Sequence, residues 1–177
     1  MVIVLIVVIV IVLVFGLTAL TGAPYVPSLK SELNIAFTKL YKLGKKDLLV
    51  DLGSGDGKVL GAAISYGAKA VGVEINPLLV LWTKLKYRKA KVYCKNMFRF
   101  KLPKETTVVY IFGDSRDIKK IVEYVKKEAT RLKKPLYLIS LAFDITIPNV
   151  KLIKSISSNF LYKAEPTVSS KSANRQH

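Results

Sequence analysis

The sequence has few of the residues that build disulfides and metal sites. Its 177 residues include one cysteine, Cys94, and one histidine, His177. A single cysteine excludes an intramolecular disulfide and a cysteine-built metal site. Cys94 lies in a short apolar stretch and is predicted to be a buried strand residue. His177 belongs to a polar tail, residues 169–177, that we predict to be disordered, so neither a metal site nor a catalytic histidine is expected.

Acidic residues are also scarce. The chain has 12 Asp+Glu against 29 Lys+Arg, which gives a formal net charge of +17. Such a charge favours an anionic lipid surface or a nucleic acid as partner. The basic residues are mostly lysines spread along the chain, and no basic motif interleaved with aromatic residues stands out. Nucleic acid is therefore not the expected partner.

Charge is absent from residues 2–20. As a helix this run would be about 28 Å long, close to the thickness of a bilayer core. A cleaved signal peptide fits less well, because no Lys or Arg precedes the run and residues 18–23 make a poor cleavage site. We predict a transmembrane anchor over residues 1–22 that contacts lipid through residues 2–20. Because basic residues follow the run and none precedes it, a single-pass protein with a cytoplasmic globular domain is expected.

Residues 23–46 are predicted to form a linker and a leading helix. Pro24 and Pro27 end the apolar helix, Ser28 is a possible N-cap, and Gly44 ends the leading helix. From residue 47 to 168, strands and helices alternate, and most strands are continuously apolar. This pattern predicts an α/β domain whose parallel sheet has helices on both faces. Residues 150–164 are consistent with a hairpin that turns at residues 157–159.

The motif that bears chemistry is Asp51-Leu52-Gly53-Ser54-Gly55-Asp56-Gly57, between the first predicted strand and a helix. Its glycines allow a sharp turn and the close approach of a ligand. Glu74 ends the second predicted strand, where a carboxylate can accept hydrogen bonds from ribose hydroxyls. The motif therefore predicts a nucleoside ligand, against the alternative of a tight turn that binds nothing.

Two nucleoside cofactors are distinguished by the residues around this turn. A nicotinamide dinucleotide fingerprint would have Gly or Ala where this chain has Lys58, and it lacks the acid that Asp51 provides. The Asp51 carboxylate suits an amino-acid ammonium, which S-adenosylmethionine (AdoMet) carries and NAD does not. AdoMet is the cofactor that we expect.

These segments resemble class I AdoMet-dependent methyltransferases, which have a Rossmann-like sheet. More narrowly, the chain resembles the lysine methyltransferases that modify the ATP synthase c subunit and the adenine nucleotide translocase, and their prokaryotic relatives. The shared features, which run from the apolar segment to about residue 115, are Pro24-Tyr25-Val26-Pro27, the Gly-Ser-Gly-Asp-Gly turn, Glu74-Ile75-Asn76-Pro77 and Ile111-Phe112-Gly113.

The resemblance implies a set of cofactor-binding residues. They are Asp51, Gly53, Ser54, Gly55, Gly57, Glu74, Asn76, Asn96, Met97, Tyr25 and Ser28. Asn96 stands where many such enzymes have an acid that contacts the adenine amino group, and a plain turn residue is the alternative. The stretch around Tyr25 and Ser28 would cover the methionine end of the cofactor, with a simple linker as the alternative. Trp82 is predicted to be a core residue, the alternative being a substrate or membrane-facing rim.

The acceptor is predicted from the segment after the fourth strand. Residues 113–117 lack the Asn/Asp-Pro-Pro-Tyr/Phe sequence that adenine and glutamine methyltransferases commonly carry. Asp114 is a candidate for orienting an amine, and a helix N-cap is its alternative. The expected function is a membrane-anchored methyltransferase that acts on a lysine of a membrane protein. An RNA or small-molecule methyltransferase, or a non-catalytic module that binds anionic lipid, remains as an alternative.

Overall fold

The computed structural model describes residues 1–6, 8, 9, 12, 30–112, 117–141 and 150–167. Helix α1 (Lys30–Asn34) continues as a π-helix over Ile35–Leu40. A short 3₁₀ turn covers Met97–Arg99. The other elements, in chain order, are β1 (Leu48–Leu52), α2 (Lys58–Ser65), β2 (Lys69–Glu74), α3 (Pro77–Lys86), β3 (Lys91–Cys94), β4 (Val108–Phe112), α4 (Ile118–Leu132), β5 (Leu136–Leu141), β6 (Lys151–Ile156) and β7 (Asn159–Ala164).

Seven strands of the described residues form one sheet in the order β3-β2-β1-β4-β5-β7-β6. Strands β1 to β5 are parallel, whereas β7 is antiparallel to both β5 and β6. The predicted α/β sheet is thus confirmed, and the predicted hairpin supplies its last two strands. Ser157 adopts a positive φ of 52° in the hairpin turn.

Both faces of the sheet are covered, which explains why its central strands are apolar throughout. On one face, α4 packs Ile121, Val122 and Val125 into a core with strand residues such as Val109 and Leu138. On the other face, the helices contribute Leu33, Phe37, Leu60 and Val80, which pack with Leu49, Tyr110 and Ile139. Helices on both faces were predicted, and this layering confirms them.

The leading helix runs against the direction of the parallel strands. Near its end, the Tyr41 hydroxyl donates to Asp47, just before β1, over 2.8 Å. In its middle, the Phe37 ring meets the ring of Tyr110 in β4, with centroids 5.9 Å apart. At its start, Glu32 accepts a hydrogen bond from Asn159, which pairs with Leu141, the last residue of β5. The start of the helix therefore lies at the carboxyl edge of the parallel strands.

The predicted single-pass membrane location, with a cytoplasmic catalytic domain, is wrong. No helix in the described part of the chain has the length and apolarity needed to cross a bilayer. Within the predicted anchor, the described helical residues are 2–6, 8, 9 and 12. A membrane span needs about 20 consecutive apolar helical residues. The predicted lipid contact through residues 2–20 depended on such a span, and it is not shown.

Two predictions of burial are also wrong. Cys94 is exposed, because β3 lies at the edge of the sheet and, among the described strands, pairs with β2 alone. Trp82 is 56% exposed, because α3 buries Val80 and Thr83 against the sheet and turns Trp82 outward together with Leu78, Leu81 and Leu85. An apolar residue type did not by itself decide which face of the helix would be covered.

Candidate active site

The site lies where the strand order reverses. Strand β1 has β2 on one side and β4 on the other, and the helices that follow β1 and β4, α2 and α4, pack on opposite faces of the sheet. In open α/β sheets such a switch point opens a crevice at the carboxyl ends of the strands. The glycine-rich loop 53–57 follows β1 at this crevice.

The backbone of the loop requires glycine. Gly53, Gly55 and Gly57 have φ angles of 80°, 50° and 78°, a region that side chains rarely adopt. The amides of Gly53 and Ser54 both donate to the Val73 carbonyl, over 2.8 and 3.0 Å, so the loop is tied to β2. A Cβ atom added at Gly53 would meet no atom of the described residues within 4 Å. Open space beside a left-handed glycine leaves room for a ligand to approach the backbone.

Gly57 has a packing role that the motif did not reveal. A Cβ atom at Gly57 would lie 2.4 Å from the Thr83 Cγ2 atom and 2.9 Å from the Tyr87 Cδ2 atom. Thr83 is fully buried, and its hydroxyl donates to the Gly55 carbonyl over 3.0 Å. Thr83 on α3 therefore holds the loop, and Gly57 makes the space for it. No local sequence signal identified Thr83.

We expect Gly57→Ala to lower the free energy of unfolding by about 2–4 kcal/mol, since it adds a left-handed side chain and a steric overlap. Urea unfolding measures the change. The matched control is Gly44→Ala, because a Cβ atom there meets no atom of the described part of the chain within 4 Å. Adding Thr83→Ser to Gly57→Ala removes the overlapping methyl group and should restore part of the loss. Equal stability of the Gly57→Ala and Gly44→Ala proteins would contradict this packing.

Asp51 is a buried carboxylate at the end of β1. It is 2% exposed, and its Oδ2 atom has no hydrogen-bond partner among the described residues. Burial raises the pKa of this carboxyl well above its ordinary value, and the charges of Glu74 and Asp56 raise the pKa further. A buried acid in this state is stabilised by a cation that also donates hydrogen bonds. The amino-acid ammonium of AdoMet fits that requirement.

Glu74 connects the end of β2 to the glycine loop. It is 9% exposed. Its Oε2 atom accepts from the Gly55 amide over 2.9 Å, and its Oε1 atom accepts from the amides of Ile75 and Asn76 over 2.8 Å each. A carboxylate accepts about four hydrogen bonds. With three positions taken, Glu74 has one acceptor position left in this arrangement, and its contact with a ribose stays a prediction.

The side-chain amides of Asn76 and Asn96 each cap a helical turn. The Asn76 Oδ1 atom accepts from the amides of Leu78 and Leu79 at the start of α3, over 2.9 and 3.4 Å. Asn76 is 1% exposed, and its Nδ2 atom is buried without a hydrogen-bond partner in the described residues. The Oδ1 atom of the exposed Asn96 accepts from the Phe98 amide over 2.9 Å. Asn96 thus caps a turn in this structure, which is the alternative role, and its contact with adenine stays a prediction.

Two further predicted site residues lie near these. Met97 is partly buried and packs against the core on the α4 face. Ser54 is 5% exposed, and its hydroxyl has no hydrogen-bond partner within the described ranges. A Cβ atom at Gly72 would lie 2.6 Å from the Ser54 hydroxyl oxygen, so Gly72 gives the loop the space it occupies against β2.

The structure therefore brings most of the predicted cofactor residues to one edge of the sheet. Asp51 lies two positions before the glycine loop, and the Gly55 amide of that loop donates to the Glu74 side chain. The Lys95 amide, next to Asn96, donates to the Glu74 carbonyl over 2.9 Å. Tyr25, Ser28 and Asp114 lie outside the described residues, as does the tail 169–177. Sequence reasoning did not identify Glu32, Thr83 or Asn159, whose contacts span at least 28 positions of the chain.

Comparisons with known proteins agree with this geometry. The lysine N-methyltransferase of the ATP synthase c subunit from Xenopus laevis is 30% identical over 96 residues, which cover 51% of this chain and 41% of that protein. Its Caenorhabditis elegans counterpart is 31% identical over 99 residues, which cover 49% of this chain and 52% of that protein. The chain thus spans about half, or less, of the length of these curated relatives.

Among solved structures, an RNA methyltransferase from Salinibacter ruber in complex with S-adenosyl-L-homocysteine is similar, with a TM-score of 0.69. It is 22% identical, and the match covers 82% of this chain and 97% of that one. At this identity the likeness shows the fold. No family model matches the sequence. The predicted resemblance to class I AdoMet-dependent methyltransferases is confirmed by the similarity in sequence and in fold.

Proposed function

We propose that this chain binds AdoMet and transfers its methyl group to the side-chain amine of a protein lysine. The observation that carries the cofactor assignment is the buried, unpartnered Oδ2 atom of Asp51 beside a glycine loop that Glu74 holds open. AdoMet has both groups that these carboxylates would bind, an ammonium for Asp51 and ribose hydroxyls for Glu74. The similarity to lysine methyltransferases supports the acceptor.

Each predicted site residue has a role in this proposal. Asp51 holds the ammonium, and the backbone of Gly53, Ser54 and Gly55 lies along the cofactor. The remaining acceptor position on Glu74 Oε2 takes one ribose hydroxyl, while Gly57 and Asn76 fix the loop and the start of α3. Asn96 and Met97 lie on the adenine side. Tyr25 and Ser28 cover the methionine end, and Asp114 orients the amine.

Bound AdoMet would supply a methyl group on a sulfonium, ready for in-line displacement. The chain's own residues then have to hold the acceptor in line and exclude water, which can provide most of the acceleration. The acceptor lysine must be neutral to react, and its ordinary pKa is about 10.4. A dry site beside a cationic sulfonium lowers the pKa of this amine. A dedicated general base is therefore not required.

RNA is the second candidate acceptor, because a net charge of +17 favours a polyanion. Two observations support lysine over RNA. The Xenopus laevis and Caenorhabditis elegans relatives are lysine methyltransferases. Residues 113–117 also lack the Asn/Asp-Pro-Pro-Tyr/Phe sequence that many adenine-specific enzymes use to bind an amino group.

The acceptor class is tested by incubating the full chain with methyl-labelled AdoMet and three separate acceptors: the recombinant c subunit of ATP synthase, total cell protein and total RNA. We expect acid-stable label in protein, which hydrolysis releases as methylated lysine. Heat-inactivated enzyme and the Glu74→Ala protein serve as controls. Label in RNA with none in protein would overturn the lysine proposal and leave the cofactor assignment intact. No binding of AdoMet by calorimetry would overturn both.

A further inference from the structure

A pair of polar side chains lies at the carboxyl edge of the sheet, away from the glycine loop. Asn159 begins β7 and pairs with Leu141, the last residue of β5, which pairs in turn with Phe112 at the end of β4. Glu32, at the start of the leading helix, accepts a hydrogen bond from the Asn159 Nδ2 atom. The contact joins residues 127 positions apart in the sequence.

The groups of this pair that are left to bind a ligand are hydrogen-bond acceptors. Asn159 is 0% exposed, yet its Oδ1 atom has no hydrogen-bond partner within the described ranges. Glu32 is half-buried and carries a carboxylate, one oxygen of which takes the Asn159 amide. An unsatisfied buried amide oxygen is costly, so a donor that reaches it is favoured. A protonated amine offers three donors, a positive charge and no acceptor.

The pair lies on the side of β4 away from the proposed cofactor residues. Asp51 and Glu74 lie at the ends of β1 and β2, whereas Asn159 is next to β5, on the far side of β4. Neighbouring strands are about 4.8 Å apart, so β7 lies roughly 10 Å from β4, where the switch-point crevice opens. A cation held by Glu32 and Asn159 is therefore distinct from the cofactor ammonium at Asp51.

We propose that Glu32 and Asn159 form the docking site for the protonated amine of the acceptor, an inference that rests on the proposed lysine specificity. Glu32 attracts the lysine ammonium, and the Asn159 Oδ1 atom accepts one of its protons in a hydrogen bond. The amine then gives a proton to solvent and advances to the crevice as a neutral nucleophile. Glu32 is a positioning residue, because it acts before the amine reaches the methyl group.

The site is tested first by binding, without reference to turnover. The full chain, labelled with ¹⁵N and saturated with S-adenosylhomocysteine, is titrated with n-butylammonium while the side-chain amide signals of Asn159 are followed by NMR. We expect these signals to shift in a saturable way and to stay in place when neutral n-butanol is added. Equal responses to both compounds, or none to the ammonium, would overturn the docking site.

The charge is then removed by Glu32→Gln, which keeps an oxygen that can accept from Asn159. We expect the KM for the recombinant c subunit to rise about tenfold, as for the loss of one charge-assisted hydrogen bond, with kcat and the AdoMet Kd near their original values. Glu123→Gln, an exposed change on α4, is the control. An unchanged KM in an active enzyme would overturn this inference alone. Butylammonium binding without methyl transfer to any protein would support the amine site and contradict the proposed function.

Discussion

Replacing Glu74 with alanine is expected to weaken AdoMet binding by more than about 100-fold and to destabilise the ligand-free protein. The carboxylate accepts from three backbone amides, those of Gly55, Ile75 and Asn76. A buried donor left without its acceptor costs about 1–3 kcal/mol. Alanine removes the Gly55 contact from the loop, which then stays tied to β2 only through the Val73 carbonyl among the described contacts, and it also removes the ribose acceptor. Calorimetry with AdoMet and urea unfolding measure the two effects.

The controls for Glu74 separate its two roles. Glu74→Gln retains one carbonyl oxygen in the same shape, so it should keep part of the loop contacts and lose the charge. Glu123→Ala, an exposed acid on α4, should change neither measurement. AdoMet affinity that survives Glu74→Ala unchanged would refute the proposed site, whatever happens to stability. A loss of stability with full binding would leave Glu74 as a structural residue only.

The Asp51→Asn protein is expected to be more stable than the original chain near neutral pH and to bind AdoMet about 10- to 100-fold more weakly. Burial, and then the charges of Glu74 and Asp56, raise the pKa of Asp51 in the ligand-free fold. An acid whose pKa is raised on folding contributes stability below its unfolded pKa, and that stability is lost as the pH rises through its folded pKa. Asparagine carries no charge at this position, so it avoids the loss of stability that the buried carboxylate causes at neutral pH. It also removes the charge that pairs with the ligand ammonium.

The same raised pKa predicts the pH dependence of binding. Below the pKa of Asp51 in the free protein, binding of the ammonium must displace a proton, so AdoMet affinity should fall as the pH falls. Above that pKa the affinity should be constant until the ammonium of AdoMet itself loses its proton, at about pH 8. Methylthioadenosine, which has no ammonium, should bind with little pH dependence, and Asp51→Asn should flatten the AdoMet profile. Calorimetry across the pH range checks this, and parallel profiles for the two ligands would argue against Asp51 as the ammonium site.

Elements with strong local patterns were predictable along the chain. The alternation of strands and helices predicted from residue 47 onward is observed, and helix α4 has an apolar stripe between charged residues. The hairpin that turns at residue 157 was also predicted, because Ser-Ser-Asn between apolar runs favours a turn. Burial was predicted less well, because it depends on which strand is at the edge. Cys94 lies in an apolar stretch but is exposed, since no strand of the described residues pairs with the outer side of β3.

The apolar run at the N-terminus shows a further limit of sequence reasoning. Hydropathy and the distribution of lysines both favoured a membrane span, and both are averages over many residues. A span also requires a continuous helix of sufficient length. In the described part of the chain no helix satisfies that requirement.

The sequence by itself determined the glycine turn and the two carboxylates that flank it. It also determined the alternation of strands and helices, which places these groups at one edge of a parallel sheet. These features are local, since a left-handed glycine or a strand end depends on a few neighbouring residues. Only the tertiary structure decided what those groups contact. It gave Glu74 three backbone donors, left Asp51 buried without a partner for Oδ2, and brought Glu32 to Asn159. Such contacts join distant segments, and no local pattern records which segments will meet.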